Sequence, residues 1–255
     1  MSLTGAAAPA AGFAEVLTRL QGVDGWLTEA QARRLWDAAG EVRDGGRIVE
    51  IGSFRGRSTI VLASAAPAGV EVVAIDPHGG GDRGPQEITP DARRGHEDFD
   101  AFHANLERAG VQARVRHVRL PSESALPEVH GAVDVLYVDG AHRYRPARAD
   151  IERWGARVPP GGDLLIHDSF NAIGVMLAQL RLLVFSRQWR YRGRAGSLAV
   201  YRRERLDAPA AAVNAGRQLA GLAYFARNMA VKLALVAHLR PVARLLGHGD
   251  EPWPY

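Results

Sequence analysis

The sequence predicts an α/β fold in which a mostly parallel β-sheet ends in an antiparallel hairpin and carries helices on both faces. Three observations predict it: short apolar runs alternate with helical stretches, the first five runs are apolar nearly throughout, and the last two are joined tightly. Alternating strands and helices build parallel βαβ units, and strands without polar positions are buried on both faces. A chain of 255 residues is long enough for one such domain with helical additions.

Five runs predict the parallel strands of this sheet. They are RIVEI (47–51), EVVAID (71–76), RVRHV (114–118), VDVLYVD (133–139) and DLLIHD (163–168). Helical stretches are predicted at 57–66, 98–110, 146–158 and 170–188. The later runs QWRYRG and GSLAVYRR then predict two strands with a short connection, which places a hairpin at the edge of the sheet.

Outside the central domain at 45–205, the chain begins and ends with helical patterns. Residues 1–44 predict an N-terminal helical cap, in which TEAQ (28–31) has the capping-box pattern of a helix start. Residues 206–255 predict a C-terminal helical extension that is alanine-rich, apolar and basic. Such an extension can lie on a membrane surface, cover a partner subunit or pack on the sheet edge. Its weak amphipathic contrast favours packing.

Composition excludes some classes of protein. The chain has no cysteine, which excludes disulfides and thiolate metal sites. The N-terminus lacks the pattern of a signal peptide, and no uncharged apolar run reaches the roughly 18 residues that a membrane span needs. We therefore expect a cytoplasmic protein without a membrane span. The formal charge is +4, and eight arginines lie within 181–205. This cluster favours a solvated surface or an oligomer contact over a site for an anionic partner.

The loop after the first strand has features of a ligand-binding turn. Gly52 and Gly56 permit close approach of the backbone to a ligand, and the helix that starts near Ser58 offers free N–H donors. Because the loop is not G-x-G-x-x-G, tight packing against a dinucleotide phosphate is disfavoured. A plain strand–helix turn is an equal alternative to a binding loop. At the end of the second strand, Asp76 has the position of a carboxylate that accepts the two hydroxyls of a ribose, or of a simple turn former. Taken together, the two features favour an adenosine-containing ligand.

Four segments resemble the class I S-adenosylmethionine-dependent methyltransferases. VEIGSFRGRS and VVAIDP resemble the first and second motifs of that family, while VDVLYVDGAHRY and PPGGDLLIHDS resemble its fourth and fifth strands. The likeness is to the branch that includes macrocin-type sugar O-methyltransferases and cephalosporin-tailoring relatives. It covers roughly residues 45–203. It implies a Rossmann-like seven-stranded sheet with an antiparallel last strand, with S-adenosylmethionine bound by the domain at 45–205.

The resemblance also implies a set of cofactor contacts. The methionine portion would lie near the first loop, the ribose at the end of the second strand, and the adenine near the residue that follows HVRLP. The cofactor-binding residues implied in this way are Glu50, Gly52, Ser53, Gly56, Ser58, Asp76, Ser122 and Asp139. Ser122 is equally well explained as an ordinary loop serine beside a proline.

Methyl transfer to a hydroxyl requires that the hydroxyl proton be removed, either by a general base or with the help of a metal. In DGAHRY, His142 is the predicted general base, with a histidine at a helix start as the alternative. Asp139, His167 and Asp168 are the predicted metal ligands, since the resemblance places oxygen ligands for magnesium there. An imidazole suits later divalent metals better than magnesium, so His167 leaves the identity of the metal open and can instead support the ligands.

The sequence thus predicts an O-methyltransferase acting on a hydroxyl of a sugar, glycoside or polysaccharide precursor. A divalent metal, with magnesium first, is expected to assist. We expect a small hydroxylated acceptor, no nucleic-acid partner and a homo-oligomer, with a dimer favoured. The polar segment 77–106 is predicted to form a lid over the acceptor.

Several alternatives remain beside this prediction. A non-sugar natural product is the alternative acceptor, and a nicotinamide-dependent oxidoreductase is the alternative enzyme, disfavoured by the missing middle glycine. An RNA methyltransferase would be expected to carry an N/D-P-P-Y/F motif for a flipped base, which the sequence lacks. A binding module without turnover would need neither His142 nor Asp139.

Overall fold

The computed structural model describes residues 12–81 and 89–249, and within them a seven-stranded sheet of order β3-β2-β1-β4-β5-β7-β6. The strands are β1 Arg47–Ile51, β2 Glu71–Ile75, β3 Val115–Val118, β4 Val135–Val138, β5 Asp163–Ile166, β6 Trp189–Ala195 and β7 Leu198–Arg203. The first five strands pair in parallel, and β7 lies antiparallel between β5 and β6. The predicted seven-stranded sheet with an antiparallel end is therefore confirmed.

The strand order places a binding crevice between β1 and β4. The chain runs outward from β1 to β2 and β3, then returns to add β4 on the other side of β1. The connections leave the sheet in opposite directions at this point, so the loops after β1 and β4 diverge and open a crevice at their carboxyl ends.

Ten α-helices surround the sheet in the described part of the chain. They are α1 Phe13–Arg19, α2 Glu29–Gly40, α3 Arg57–Ala65, α4 Ala92–Arg108, α5 Ser122–Ala125, α6 Tyr144–Gly155, α7 Ile173–Gln179, α8 Ala208–Leu219, α9 Leu222–Val236 and α10 Arg240–Leu245. Helix α4 begins at Ala92, before the predicted start at 98, because Asp91 caps it by accepting from the backbone N–H groups of Arg93 and Arg94. The stretch predicted as one helix at 170–188 is α7 followed by a π-helical turn, Leu180–Val184.

The core consists of one apolar layer on each face of the sheet. Alternate strand residues face opposite layers, as Ile48 and Val49 do. One layer is closed by α1 to α4, with Leu35 and Phe102 fully buried. The other is closed mainly by α5, α6 and α7, with Trp154 at its centre.

The N-terminal helices are part of this core. The predicted capping box is present: the backbone N–H of Thr28 donates to Gln31 Oε1 at 2.8 Å, and the Gln31 N–H donates to Thr28 Oγ1 at 3.3 Å. The cap fixes the start of α2, so that Leu35 and Ala39 turn toward the sheet and are completely buried.

The arginines of 181–205 are largely engaged within the chain. Arg190 forms a bidentate ion pair with Glu204, in which Nε and Nη2 each donate to a carboxylate oxygen at 2.7 Å. Arg203 donates to the Gly155 carbonyl, and Arg194 lies 3.8 Å from the ring centre of Tyr224. Several of these arginines thus take part in intramolecular contacts, and the solvated surface or oligomer contact stays a prediction.

The C-terminal helices are less covered than expected. Among the described residues, the helical stretch 208–236 is long and apolar enough to cross a membrane by length and composition, and 17% of its most apolar window is buried. The sequence prediction favoured a packed segment. The structure instead leaves much of its apolar surface exposed, because α9 contacts the domain through one face.

Candidate functional site

A cavity of about 530 Å³ opens at the carboxyl ends of β1, β2 and β4, where the strand order predicts a crevice. The predicted site residues that line it are Gly52, Asp76, Ser122, Asp139, His142 and His167. The predicted residues outside its lining are Glu50, Ser53, Gly56, Ser58 and Asp168. The cavity thus brings together residues from five separate loops of the sequence.

The loops around this cavity hold most of the unusual backbone of the protein. Among the described residues, five other than glycine have positive φ, and four follow β1, β2 or β5: Phe54, His78, Asp168 and Phe170. Such conformations cost about 1–3 kcal/mol each and persist where the surrounding structure enforces them. Their concentration at one sheet edge marks a preorganised site.

Gly52 is required by a close approach between two loops. Its φ is 86°, and a Cβ atom there would lie 2.2 Å from the backbone carbonyl oxygen of Asp139. Gly52 therefore permits the loop after β1 to rest directly on the loop after β4. This contact forms the floor of the cavity.

The carboxylate of Asp76 is held by two backbone donors. Phe54 N–H donates to Asp76 Oδ2 at 2.9 Å, and His78 N–H donates to Asp76 Oδ1 at 2.7 Å. Each carboxylate oxygen has lone pairs beyond these bonds. The side chain is thus fixed in orientation while facing the cavity.

Glu50 lies beneath the cavity and organises the start of α3. It is fully buried, and its two carboxyl oxygens accept hydrogen bonds from Ser58 Oγ and Thr59 Oγ1. Burial raises the pKa of Glu50 to about 8, against the opposing effect of the two hydroxyls. Glu50 and Ser58 therefore shape the loop at 52–56 from below.

Ser122 lines the cavity and is paired with a buried acid. Its Oγ donates to Asp150 Oδ1 at 2.5 Å, and burial raises the pKa of Asp150 to about 6. From RPARADIERW onward, the helical spacing of Ile151, Trp154 and Val158 predicts an apolar face that leaves Asp150 solvated. That expectation is wrong: the residue is 4% exposed and lines the cavity.

Asp139 and His167 form a pair at the wall of the cavity. Asp139 Oδ1 lies 3.1 Å from His167 Nδ1, and Asp139 Oδ2 accepts from the hydroxyl of Tyr137 at 2.8 Å. Burial alone would lower the pKa of His167, but the charges of Asp139 and Asp168 raise it well above its ordinary value. The His167 Nδ1 also lies 3.4 Å from Asp168 Oδ2, so the buried imidazole stands between two carboxylates.

His142 lies in the loop after β4 and contacts Asp168. Its Nε2 is 2.8 Å from Asp168 Oδ2. Burial alone would lower the pKa of His142, but the hydrogen bond and charge of Asp168 raise it. Asp168, itself buried, also receives a hydrogen bond from Asn171 Nδ2 at 3.0 Å. The pair gives the cavity an oriented imidazole beside a fixed carboxylate.

Three of these side chains can converge on one cation. Ligand atoms of Asp139, His142 and Asp168 lie within 4.8 Å of one another. The sequence-predicted set contained His167 in place of His142. Two carboxylates and one imidazole are a donor set that suits a divalent transition metal.

Sequence reasoning missed the aromatic wall of the cavity. Trp26 stacks on Phe54 with ring centres 5.7 Å apart, and both line the cavity together with His78. Trp26 lies just before the capping box of α2. Its position outside the apolar face of a helix was the one sign in the sequence that it has another role. Only the fold brings it to the loop after β1.

The predicted lid is partly a regular helix. Residues 92–106 belong to α4, so only 77–81 and 89–91 are irregular among the described residues of that segment. The acidic residues Asp82 and Glu87 of this segment lie outside the described residues. Asp91 is the N-cap of α4, and His96 is exposed, with its Nδ1 2.7 Å from the Ala92 carbonyl oxygen.

A large part of the central domain matches a known protein family. Residues 49–169 match the family model described as a methyltransferase domain. The match begins in β1 and ends just after Asp168, so it contains the cavity loops that follow β1, β2, β4 and β5.

Individual relatives are more distant. Uncharacterized protein y4gI of Sinorhizobium fredii (strain NBRC 101917 / NGR234) is 32% identical over 130 residues, which are 48% of this chain and 13% of that protein. The chain therefore spans a small part of that relative. Among solved structures, cofactor-bound Rv0187 from MTB is similar with a TM-score of 0.55 and 21% identity over 80% of this chain and 93% of that one. The O-methyltransferase from Bacillus cereus in complex with SAH is similar with a TM-score of 0.51 and 17% identity over 78% and 91%.

Residues 49–169 thus match a methyltransferase domain, and the strand order agrees with a Rossmann-like methyltransferase fold. The matched span runs from β1 through β5, while β6, β7 and the helices α8 to α10 follow it.

Proposed function

We propose that the chain transfers a methyl group from S-adenosylmethionine to a hydroxyl of a small polar acceptor. The observation that carries this proposal is the composition of the cavity: a preoriented carboxylate, Asp76, stands on one side, and a histidine paired with a buried carboxylate, His142, stands on the other. A donor site and a proton acceptor thus share one space. The O-methyltransferase from Bacillus cereus has the same fold, which agrees with this proposal.

On the donor side, Asp76 binds the two ribose hydroxyls. Both carboxylate oxygens keep acceptor capacity after the bonds from Phe54 and His78. The adenine lies toward Ser122 and Asp150, and the methionine portion lies over Gly52, where the missing Cβ leaves room. Trp26 and Phe54 close the apolar side of this space.

On the acceptor side, His142 receives the proton of the attacking hydroxyl. The oxygen forms a bond to the methyl carbon while the carbon–sulfur bond breaks, giving a methyl ether and S-adenosylhomocysteine. Asp168 orients the imidazole and stabilises its protonated form. The proton leaves to solvent after each turnover.

A divalent metal fits the same residues in a second arrangement. Asp139, His142 and Asp168 would hold it, since their donor atoms already converge. A bound divalent cation lowers the pKa of a hydroxyl that coordinates it. This arrangement occupies His142 as a ligand, so it and the general-base role exclude each other and are separable by experiment.

We propose a sugar, glycoside or polysaccharide precursor as the acceptor, with a non-sugar natural product as the second candidate. The polar groups at the acceptor side, Asp139, His142 and Arg143, suit several hydroxyls better than a flat aromatic ring. The cavity volume of about 530 Å³ must hold the donor and the reacting part of the acceptor.

Calorimetric titration with S-adenosylhomocysteine tests the donor site directly. We expect binding by the intact protein, and its absence would contradict the methyltransferase proposal. Methyl transfer to a panel of sugars and phenols, with and without a chelator, then tests acceptor and metal. A rate that is unchanged by chelation rules out the metal arrangement and leaves His142 as the base.

A further inference from the structure

The exposed face of α9 is apolar along its length. Leu233 and Val236 are 71% and 76% exposed. Ala226 and Ala237 are exposed as well, and Ala226 lies on the same side as Leu233, seven residues or about two turns away. A helix face turned to water ordinarily carries charged or polar side chains. The exposed face of α9 carries no charged or polar side chain, which is unusual for a helix face in contact with water.

Helix α10 continues the same kind of surface. Leu239, Val242 and Leu245 are exposed to 52%, 44% and 87%. We call these residues, with Leu233 and Val236, the apolar C-terminal surface. Helices α9 and α10 pack on each other through a separate small cluster that contains Val231, Ala234 and Ala243. The five exposed side chains are thus left over after internal packing is complete, which is typical of an interaction site.

The charged residues within the described C-terminal helices α8 to α10 are all basic. Residues 208–249 contain five Lys or Arg residues and no Asp or Glu. Arg240 is exposed and stands between Leu239 and Val242. If a second copy of the chain met this surface across a twofold axis, the same cations would face each other without an acid on the segment. An anionic phospholipid bilayer offers both partners that the surface needs, acyl chains and phosphates.

We propose that the apolar C-terminal surface docks the protein on the surface of an anionic phospholipid bilayer. The helices lie in the plane of the interface and do not span it, because the opposite side of α9 is held by the domain. Asn228 Nδ2 donates to the Phe170 carbonyl at 3.0 Å, and Lys232 Nζ donates to the Asn171 carbonyl at 2.8 Å. Only one face of α9 is therefore available to lipid.

These same bonds join the docking surface to the candidate active site. Asn171, whose carbonyl accepts from Lys232, donates from its side chain to Asp168. The loop after β5 thus contacts the docking helix at one end and carries His167 and Asp168 at the other. Docking therefore places the loop after β5 near the bilayer surface. The docking itself does not depend on which acceptor is methylated.

Cosedimentation of the full chain with vesicles tests this proposal. We expect binding to vesicles of equal parts phosphatidylcholine and phosphatidylglycerol, weaker binding to phosphatidylcholine alone, and weaker binding at high salt. Arg240→Ala should weaken binding about five-fold, since a basic residue near such a surface contributes about that factor. Leu233→Ser should weaken it about ten-fold or more through lost apolar burial.

Val213→Ser is the matched control. Val213 is 65% exposed on α8, outside the proposed surface, so its loss should leave vesicle binding unchanged. Equal weakening by Val213→Ser, or no binding of the intact protein to anionic vesicles at low salt, overturns the proposal. The intact protein could instead self-associate without binding vesicles, and Leu233→Ser could abolish that self-association. This result would overturn the proposal and assign the surface to contact with a second copy of the chain. Thermal unfolding of each variant shows that the fold is kept.

Discussion

Glu50 and Asp76 show how two carboxylic acids on neighbouring strands take different roles from their surroundings. Glu50 points beneath the cavity and contacts two hydroxyls, whereas Asp76 is held by two backbone N–H groups and faces the cavity. The sequence motif implied the same kind of role for both. Glu50 lies within β1, whereas Asp76 follows the last residue of β2, and this difference in position separates their roles.

Asp76 therefore carries a prediction about donor binding. Asp76→Ala should lower the affinity for S-adenosylhomocysteine at least about 100-fold, because charge-assisted hydrogen bonds to both ribose hydroxyls are lost. Calorimetry measures the change. Asp37→Ala removes a surface carboxylate that pairs with Arg33 and should leave binding unaltered. Unchanged affinity in Asp76→Ala would place the ribose elsewhere.

His142 carries a prediction about the chemical step. Its replacement by alanine should lower kcat by about 10²–10⁴ if it is the general base. The affinity for S-adenosylhomocysteine should stay the same, since His142 lies on the acceptor side. Exposed His130, changed to alanine, serves as the control. A His142→Ala variant with normal kcat would contradict the proposed mechanism.

We expect Glu50 to make the stability of the fold depend on pH. The pKa of Glu50 is about 8 in the folded protein and near 4.5 when exposed, so the folded state binds the proton more tightly. Its contribution to stability is complete below pH 4.5 and is lost as the pH rises to about 8. In the unaltered protein, the urea concentration at the midpoint of unfolding should therefore fall as the pH rises across this range. Glu50→Gln should make this fall smaller. The exposed Glu107→Gln should keep the slope of the unaltered protein.

The elements of the site are positioned by contact between loops. The loop after β1 rests on the loop after β4 at Gly52, and the loop after β2 is tied to the first loop through Asp76 and Phe54. Sequence motifs identify each loop separately. How closely they approach depends on the order and register of the strands.

Gly52→Ala tests this loop contact. The new Cβ would meet the Asp139 carbonyl oxygen at 2.2 Å and would also have to adopt a positive φ. Gly45 has a similar φ but no atom within 4 Å of a new Cβ, so Gly45→Ala should cost only about 1–2 kcal/mol of stability. We expect Gly52→Ala to cost about 2 kcal/mol more than that. Equal losses in chemical denaturation would show that the contact is not restrictive.

At the scale of the whole molecule, the additions to the domain differ from each other. The N-terminal helices α1 and α2 close one apolar layer of the sheet, whereas α9 and α10 leave large apolar side chains exposed. The first addition serves the core. The second forms the apolar C-terminal surface, and the vesicle experiment tests whether that surface binds lipid.

Leu35→Ala tests whether the N-terminal helices belong to the folding unit. Leu35 on α2 is completely buried in the layer that also holds Ile60 and Phe102. Its truncation should cost about 2–5 kcal/mol and lower the midpoint of one cooperative transition. The exposed Leu233→Ala should have little effect on stability. A separate early transition in Leu35→Ala would make the helices an independent unit.

The sequence by itself determined the strands, the antiparallel end of the sheet, the capping box and the loops that form the cavity. Those features follow from local periodicity and turn chemistry, and RIVEI at 47–51 coincides with β1. Only the tertiary structure decided that Asp150 is buried at the cavity, that Trp26 stacks on Phe54, and that His142, with its Nε2 on Asp168, joins the possible metal group. The reason is that these contacts join residues far apart in the chain, and their geometry is set by the packing of elements that no local pattern describes.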